Sequence, residues 1–164
     1  MNAPYTLRIA KQDFKFSAAH FTLFPDGSGE LLHGHNYALR LAAGGNELDE
    51  SGLLADIAAL KRHVRGLCDR YDERTLIPTE SPWLKVATFA DRVDVQFGER
   101  EYRLPRRDVV LLPLANLTME LLAKHLWEET APALAESRVV SLEIEVQETA
   151  GQSCVYRAAL PQPS

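Results

Sequence analysis

The sequence predicts an α+β fold: a four-stranded antiparallel sheet with two helices on one face and a β-hairpin inserted between the helices. Three observations carry that prediction. At both ends of the 164-residue chain, apolar residues alternate with polar ones, the period-two pattern of half-buried strands. Two segments in the middle repeat instead at helical spacing. The order is strand, strand, helix, irregular segment, helix, strand, strand, which folds most simply as one antiparallel sheet covered by helices.

Tyr5 to His20 reads as one long strand, or two parts of one. Tyr5, Leu7 and Ile9 alternate first; Phe14, Phe16, Ala18 and His20 then alternate on the opposite parity. A parity change of this kind needs a bulge, placed near Gln12. Pro25-Asp-Gly-Ser-Gly29 is a turn-rich loop. The strand pattern resumes with His33, His35, Tyr37, Leu39 and Leu41 on one face, and Gly44-Gly45-Asn46 ends it. Leu53 to Tyr71 is helical through Leu54, Ile57, Leu60, Val64, Leu67 and Cys68, with Ser51 or Asp49 as cap.

Arg74 to Leu114 is the least regular part. Within it Val93–Phe97, Gly98-Glu99 and Tyr102–Leu104 read as a hairpin, and the insertion covers about 77–112. The second helix begins near Asn116, a good cap. It runs through Met119, Leu121, Leu122, His125, Leu126 and Trp127 to Thr130, where Ala131-Pro132 weakens its end. Val139–Glu148 and Cys154–Leu160 are the last strands, joined by a turn at Ala150–Ser153. His125 packs on the apolar side of its helix, and His63 lies at the surface.

The length suits one domain, 1–164, with a real core. The net charge of −5 with neutral histidines argues against nucleic acid as a partner, since phosphate binding needs a basic surface. Cys68 and Cys154 form no CxxC and read as packed residues, which fits a reducing cytoplasm. No apolar run is long enough to span a membrane, and Met1-Asn-Ala-Pro-Tyr5 lacks the basic-then-apolar form of a signal peptide.

Three of the five histidines fall in one short window: Phe16-Ser-Ala-Ala-His20, then His33-Gly-His35-Asn-Tyr37. His33 and His35 are two apart, so on a strand they share a face. If the first two strands pair, His20 meets both. Three neutral imidazoles with a fourth position open form the ligand set of a catalytic zinc, although imidazole also suits iron and nickel. Chance proximity is the alternative; the shared face, the strand context and the room left by Gly34 favour the metal.

These same residues resemble the 6-pyruvoyl-tetrahydropterin synthase family, which includes the bacterial 6-carboxy-tetrahydropterin synthases. The resemblance covers most of the chain outside Leu76–Leu112. It implies the tunnelling fold, in which sheets of several subunits close into a barrel, and a homo-oligomer, typically a hexamer of two trimers. It implies Zn2+ on His20, His33 and His35, and lyase-type chemistry on the side chain of 7,8-dihydroneopterin triphosphate, a small-molecule pterin. The pathways implied are queuosine and folate biosynthesis.

Site residues follow from the resemblance. Val146-Gln-Glu148-Thr149 matches the family's pterin anchor, and a carboxylate can accept the 2-amino and ring N–H bonds together. The alternative, that Glu148 ends a strand in water, is the commoner fate of a Glu, but this one continues an otherwise apolar face into a turn. Asn116-Leu-Thr118-Met-Glu120 is similar to a segment whose Thr lies near the pterin; Thr118 otherwise reads as a helix-start residue. Most members carry a catalytic Cys at the position of Gly29. The next residue, Glu30, gives Glu-x-x-His-Gly-His, as in a branch that uses Glu as base and yields 6-hydroxymethyl-7,8-dihydropterin. A solvated loop carboxylate is the alternative for Glu30. Asp72-Glu73 stands where the family has Asp-His, and both are candidates to orient groups or relay protons. The expected mechanism has Glu30 take a proton, its pKa raised where closure removes water. A zinc- and pterin-binding homologue with little turnover, and an unrelated zinc hydrolase, are the competing classes; the absence of His-Glu-x-x-His weighs against the latter.

Overall fold

The computed structural model describes residues 3–161; Met1 and Asn2, part of the start read for a signal peptide, and residues 162–164 of the expected 1–164 span lie outside the described residues. The first strand is broken in two. β1 (Tyr5–Ile9) and β2 (Lys15–His20) both pair antiparallel with one long strand, β3 (His33–Gly45). Ile9 faces Leu41 and Lys15 faces Ala38. The chain therefore advances six residues while β3 advances three, and three extra residues loop out. A turn closes the loop, with Phe14 N–H donating to Lys11 O at 3.1 Å and Leu39 N–H donating to Phe14 O at 2.8 Å. An odd number of extra residues inverts the parity, which is the change read near Gln12.

α1 (Ile57–Tyr71) follows, then β4 (Arg74–Pro78), an excursion of β5 (Lys85–Thr88), β6 (Arg92–Phe97) and β7 (Arg100–Pro105), and β8 (Val109–Leu112). α2 (Met119–Thr130), β9 (Ser141–Thr149) and β10 (Gln152–Ala159) complete the order. The main sheet runs β10-β9-β3-β2-β4-β8, with β1 on β3. The expected antiparallel strands and the two covering helices are present. The sheet is extended by β4 and β8, which run parallel to β2 and to each other. The inserted hairpin is β6–β7 and carries a third strand, β5.

Two expected helix starts and one expected exposure differ. α1 starts at Ile57, not Leu53, because Asp56 is the cap and accepts from Ala59 N–H at 2.9 Å. Asp49 instead accepts from the Ser51 and Leu53 amides, folding a turn that leaves Leu53 exposed. α2 starts at Met119, capped by Thr118, which accepts from Leu121 N–H at 3.3 Å; Asn116 is used elsewhere. His63 is half-buried rather than at the surface.

The core faces of sheet and helices meet in one cluster that includes Phe16, Tyr37, Leu39, Leu60, Val64, Leu67, Leu122, Leu126 and Ile144. Each such side chain contributes roughly 1.5–3 kcal/mol by burial. Cys68 is buried there, and burial pushes its thiol up to about 12, as suits a packed residue rather than a nucleophile. A second cluster joins Phe21 and Leu23, just past β2, to Ile77, Val93, Val95, Phe97 and Val109. The excursion is thus packed against the residues that follow His20. No helix among the described residues is long and apolar enough to cross a membrane.

The two helices are joined by a polar clasp. The buried Tyr71 hydroxyl lies 3.2 Å from His125 Nε2 and accepts from Arg70 at 2.6 Å, and Arg70 also pairs with Glu129. His125 packs, as expected, and burial lowers its pKa against the opposing pull of Glu129. The unfolded imidazole titrates near 6.5, so on acidification protons bind the unfolded chain first. His125 therefore contributes stability in full above that pH and loses it as pH falls through the lower folded value. Denaturant unfolding at several pH values should show a shallower acid decline for His125→Gln than for the parent chain. An unchanged slope would assign the decline to other groups.

Candidate active site

The core-facing row of β2 runs Phe16, Ala18, His20. The facing row of β3 runs Leu41, Leu39, Tyr37, His35, His33. Pairing of Ala18 with His35 and of His20 with His33 brings the three histidines together where the apolar rows end. Ring centroids are 4.7 Å apart for His20 and His33, 5.4 Å for His20 and His35, and 4.8 Å for His33 and His35. One possible ligand atom from each lies within 4.8 Å of the others.

The donor set fits a metal ion. His20 is buried, and neither of its ring nitrogens makes a well-formed hydrogen bond among the described residues, although Glu148 Oε1 and the Leu117 backbone stand near, a condition that buried polar atoms rarely tolerate. Burial lowers its pKa, which keeps it in the neutral form that ligates metals. His33 Nδ1 lies 2.8 Å from Leu31 O. With the proton on Nδ1 that contact fixes the ring and leaves Nε2 as a lone-pair donor.

Carboxylates stand beside the cluster. Glu148 Oε1 lies 3.3 Å from His20 Nε2 and 3.6 Å from His35 Nε2. It accepts from the Tyr37 hydroxyl at 3.1 Å, while Oε2 accepts from Gln152 at 3.2 Å. Glu148 is therefore half-buried and oriented, not a solvated strand end. Burial and the Glu148 charge push the Tyr37 phenol far above its ordinary value, so it remains a donor. Tyr37 was legible only as the next residue on the histidine face.

Glu30 Oε2 lies 3.9 Å from His33 Nε2 and accepts from Thr22 N–H at 3.0 Å. Glu30 N–H donates back to Thr22 O at 2.9 Å. Burial pushes the Glu30 carboxyl up, but the Thr22 bonds and the histidines outweigh it, and it rests below the ordinary value. The upward shift is expected where closure removes water, and in the chain as folded the Glu30 side chain is still 39% exposed. Thr22 is held in turn: its hydroxyl donates to Leu117 O at 3.1 Å, and Asn116 brackets Leu23 by accepting from its N–H and donating to its O. Asn116 is thus a clamp on the strand end, not a helix cap. At Gly29 an added Cβ would lie 2.7 Å from the Phe97 ring, so no side chain fits there without moving that ring.

Asp72 accepts from Ser17 N–H at 2.7 Å, and Glu73, at φ 55°, donates its N–H to Ser17 O. Both residues therefore tie the end of α1 to β2. Glu73 lines a cleft of about 460 Å³ with Ser17, Gly34, His35, Asn36, Arg74 and Asp108. By strand alternation Ser17, Gly34 and Asn36 lie on the sheet face opposite the histidine row. Thr118 is spent as the α2 cap, and Thr149 is exposed at the end of β9.

The sequence profile described as 6-pyruvoyl tetrahydropterin synthase matches residues 8–159. The 6-carboxy-5,6,7,8-tetrahydropterin synthase of Bacillus subtilis (strain 168) is 30% identical over 157 residues, covering 94% of this chain and 87% of that protein. A Plasmodium vivax 6-pyruvoyltetrahydropterin synthase, described as a catalytic-residue mutant with glutamate replaced by alanine, superposes with a TM-score of 0.87 at 26% identity. The match covers 94% of this chain and 98% of that one. The Plasmodium falciparum enzyme of the same name superposes with a TM-score of 0.87 at 25% identity, over 96% and 99% of the two chains. With the tunnelling fold shared over nearly its whole length, the chain belongs to the 6-pyruvoyl tetrahydropterin synthase family.

Proposed function

We propose that this chain is a zinc-dependent lyase acting on the side chain of 7,8-dihydroneopterin triphosphate, giving 6-hydroxymethyl-7,8-dihydropterin or a 6-substituted tetrahydropterin. The observation that carries the reading is the histidine cluster with one carboxylate beside His33 and another beside His20 and His35. The catalytic glutamate named for the P. vivax protein supports Glu30 as the base.

His20, His33 and His35 would hold the zinc, which supplies Lewis-acid polarisation of a side-chain hydroxyl when bound. Glu30, already ionised, accepts the substrate proton at Oε2. Glu148 receives the pterin 2-amino and ring N–H groups, and Tyr37 keeps its carboxylate aimed. Thr118 and Thr149 border that anchor. Asp72 and Glu73 act through the position of β2 and at the face a neighbouring copy would cover, in a homohexamer of two trimers. Light scattering at micromolar concentration should find an oligomer; monomer alone would remove the shared-site reading.

Metal analysis of purified protein should find about one divalent ion per chain. His33→Ala and His35→Ala should lose it while circular dichroism stays native. Full metal content in both variants would dissolve the proposed centre.

Kinetics divide the roles of the carboxylates. Glu148→Ala should weaken binding of a dihydropterin by a few kcal/mol, on the order of a charge-assisted bidentate pair. Glu30→Gln should leave binding nearly intact and lower turnover by about 10²–10⁴-fold. Unchanged turnover in Glu30→Gln would move the base elsewhere, and dihydropterin binding with no turnover in the parent chain would make this a binding protein.

A further inference from the structure

The excursion between the helices ends at the proposed base. β6 and β7 are joined by the two residues Gly98-Glu99, with Gly98 at φ 59° and Phe97 paired to Arg100 across the turn. Both residues at this tip touch the Glu30 loop. Arg100 donates to Glu30 O at 2.6 Å and to Gly29 O at 2.9 Å. The Phe97 ring fills the space beside Gly29, stacks on Phe21 at 6.2 Å, and lies 5.3 Å from the Arg100 guanidinium carbon.

The loop needs such ties. Residues 24–29 contain Gly27, at φ 81°, and Gly29, and glycines leave the backbone unusually free. On one side Glu30 is held by Thr22, through its carboxylate and its N–H, and Leu23 bridges Gly29. On the other side, among the described residues, the carbonyls of Gly29 and Glu30 are held by one guanidinium whose two donors fix distance and angle together. Without Arg100 the Glu30 backbone is anchored on a single edge.

We propose that Arg100, backed by Phe97, is a positioning residue that fixes the Glu30 carboxylate for proton transfer, so that the excursion is part of the catalytic apparatus. This rests on Glu30 being the base. A displacement of about 1 Å can cost on the order of 10²-fold in rate, so loss of one edge of the loop acts on kcat rather than on binding.

The test measures kcat and KM on 7,8-dihydroneopterin triphosphate, metal content, and amide hydrogen exchange over residues 22–32. The variants are Arg100→Ala, Arg100→Lys, Glu30→Gln and the double variant Arg100→Ala/Glu30→Gln. Arg100→Ala should lower kcat by roughly 10–100-fold, leave KM within about threefold, keep the metal and speed exchange in the loop. Arg100→Lys, which retains the charge, should recover part of kcat. In the Glu30→Gln background Arg100→Ala should add no further loss, because the group it positions is gone. Normal kcat and loop exchange in Arg100→Ala, alongside a collapse in Glu30→Gln, would overturn the proposal and leave the base in place. Equal losses with and without the Glu30 carboxyl would also overturn it, as a general structural effect. If Glu30→Gln alone keeps full turnover, the base assignment fails, and Arg100 as a positioner of that base fails with it.

Discussion

Everything at the site depends on one register. β2 pairs with β3 so that His20 faces His33 and Ala18 faces His35, while β1 pairs with the same strand three residues out of step. A one-residue slip in β2 would send His20 to the opposite face and Ser17 and Ala19 into the core row. The slip is resisted by Phe16, whose ring stacks on Tyr37 at 5.0 Å and tilts against Tyr71 at 5.5 Å. It is resisted from outside by Asp72 and Glu73, which hold both polar groups of the Ser17 backbone. The end of α1 thus serves the site by fixing the strand that carries His20.

The second hydrophobic cluster does comparable work beyond His20. β2 stops there, and a bare strand end would fray. Phe21 and Leu23 are instead buried among residues of the excursion and of β4 and β8, while Asn116 and Leu117 hold Thr22 and Leu23 by side-chain and backbone bonds. The loop from Phe24 to Leu32 is left to fold back as a small hairpin, with Phe24 N–H on Ser28 O and Glu30 N–H on Thr22 O. That return places Glu30 beside His33.

Local period and spacing made part of this legible in the sequence. The histidine face, the broken parity near Gln12 and the two amphipathic helices all follow from residues within a turn or two of one another. What was hidden depends on distance along the chain or on competition between good candidates. β4 and β8 are short apolar runs among prolines, and their parallel pairing has no local signal. Asp49, Ser51, Asp56, Asn116 and Thr118 are all acceptable caps; which one caps is decided by packing, and the losers become turn or clamp residues. Arg100 lies 70 residues from Glu30 in sequence, and nothing about an arginine beside a hairpin turn points to two loop carbonyls. Glu148 was legible through the family resemblance alone, and its contacts with Tyr37 and Gln152 were not.

The chemistry of the cluster follows from where the apolar rows stop. A buried imidazole nitrogen without a well-formed hydrogen bond costs on the order of 1–3 kcal/mol, and both nitrogens of His20 fall short of one. His33, with its proton on Nδ1 toward Leu31 O, turns a lone pair and not a donor toward His20. Glu148 approaches it at 3.3 Å but also faces His35 at 3.6 Å and takes its hydrogen bonds from Tyr37 and Gln152. A cation shared by the three rings would take one nitrogen from each as a ligand and would leave Glu148 free to exchange its contacts for a ligand's N–H groups. The strain in the polar network and the proposed function are therefore two views of one arrangement: a strand row that runs out of apolar partners at a point where carboxylates stand ready on the neighbouring strand and loop.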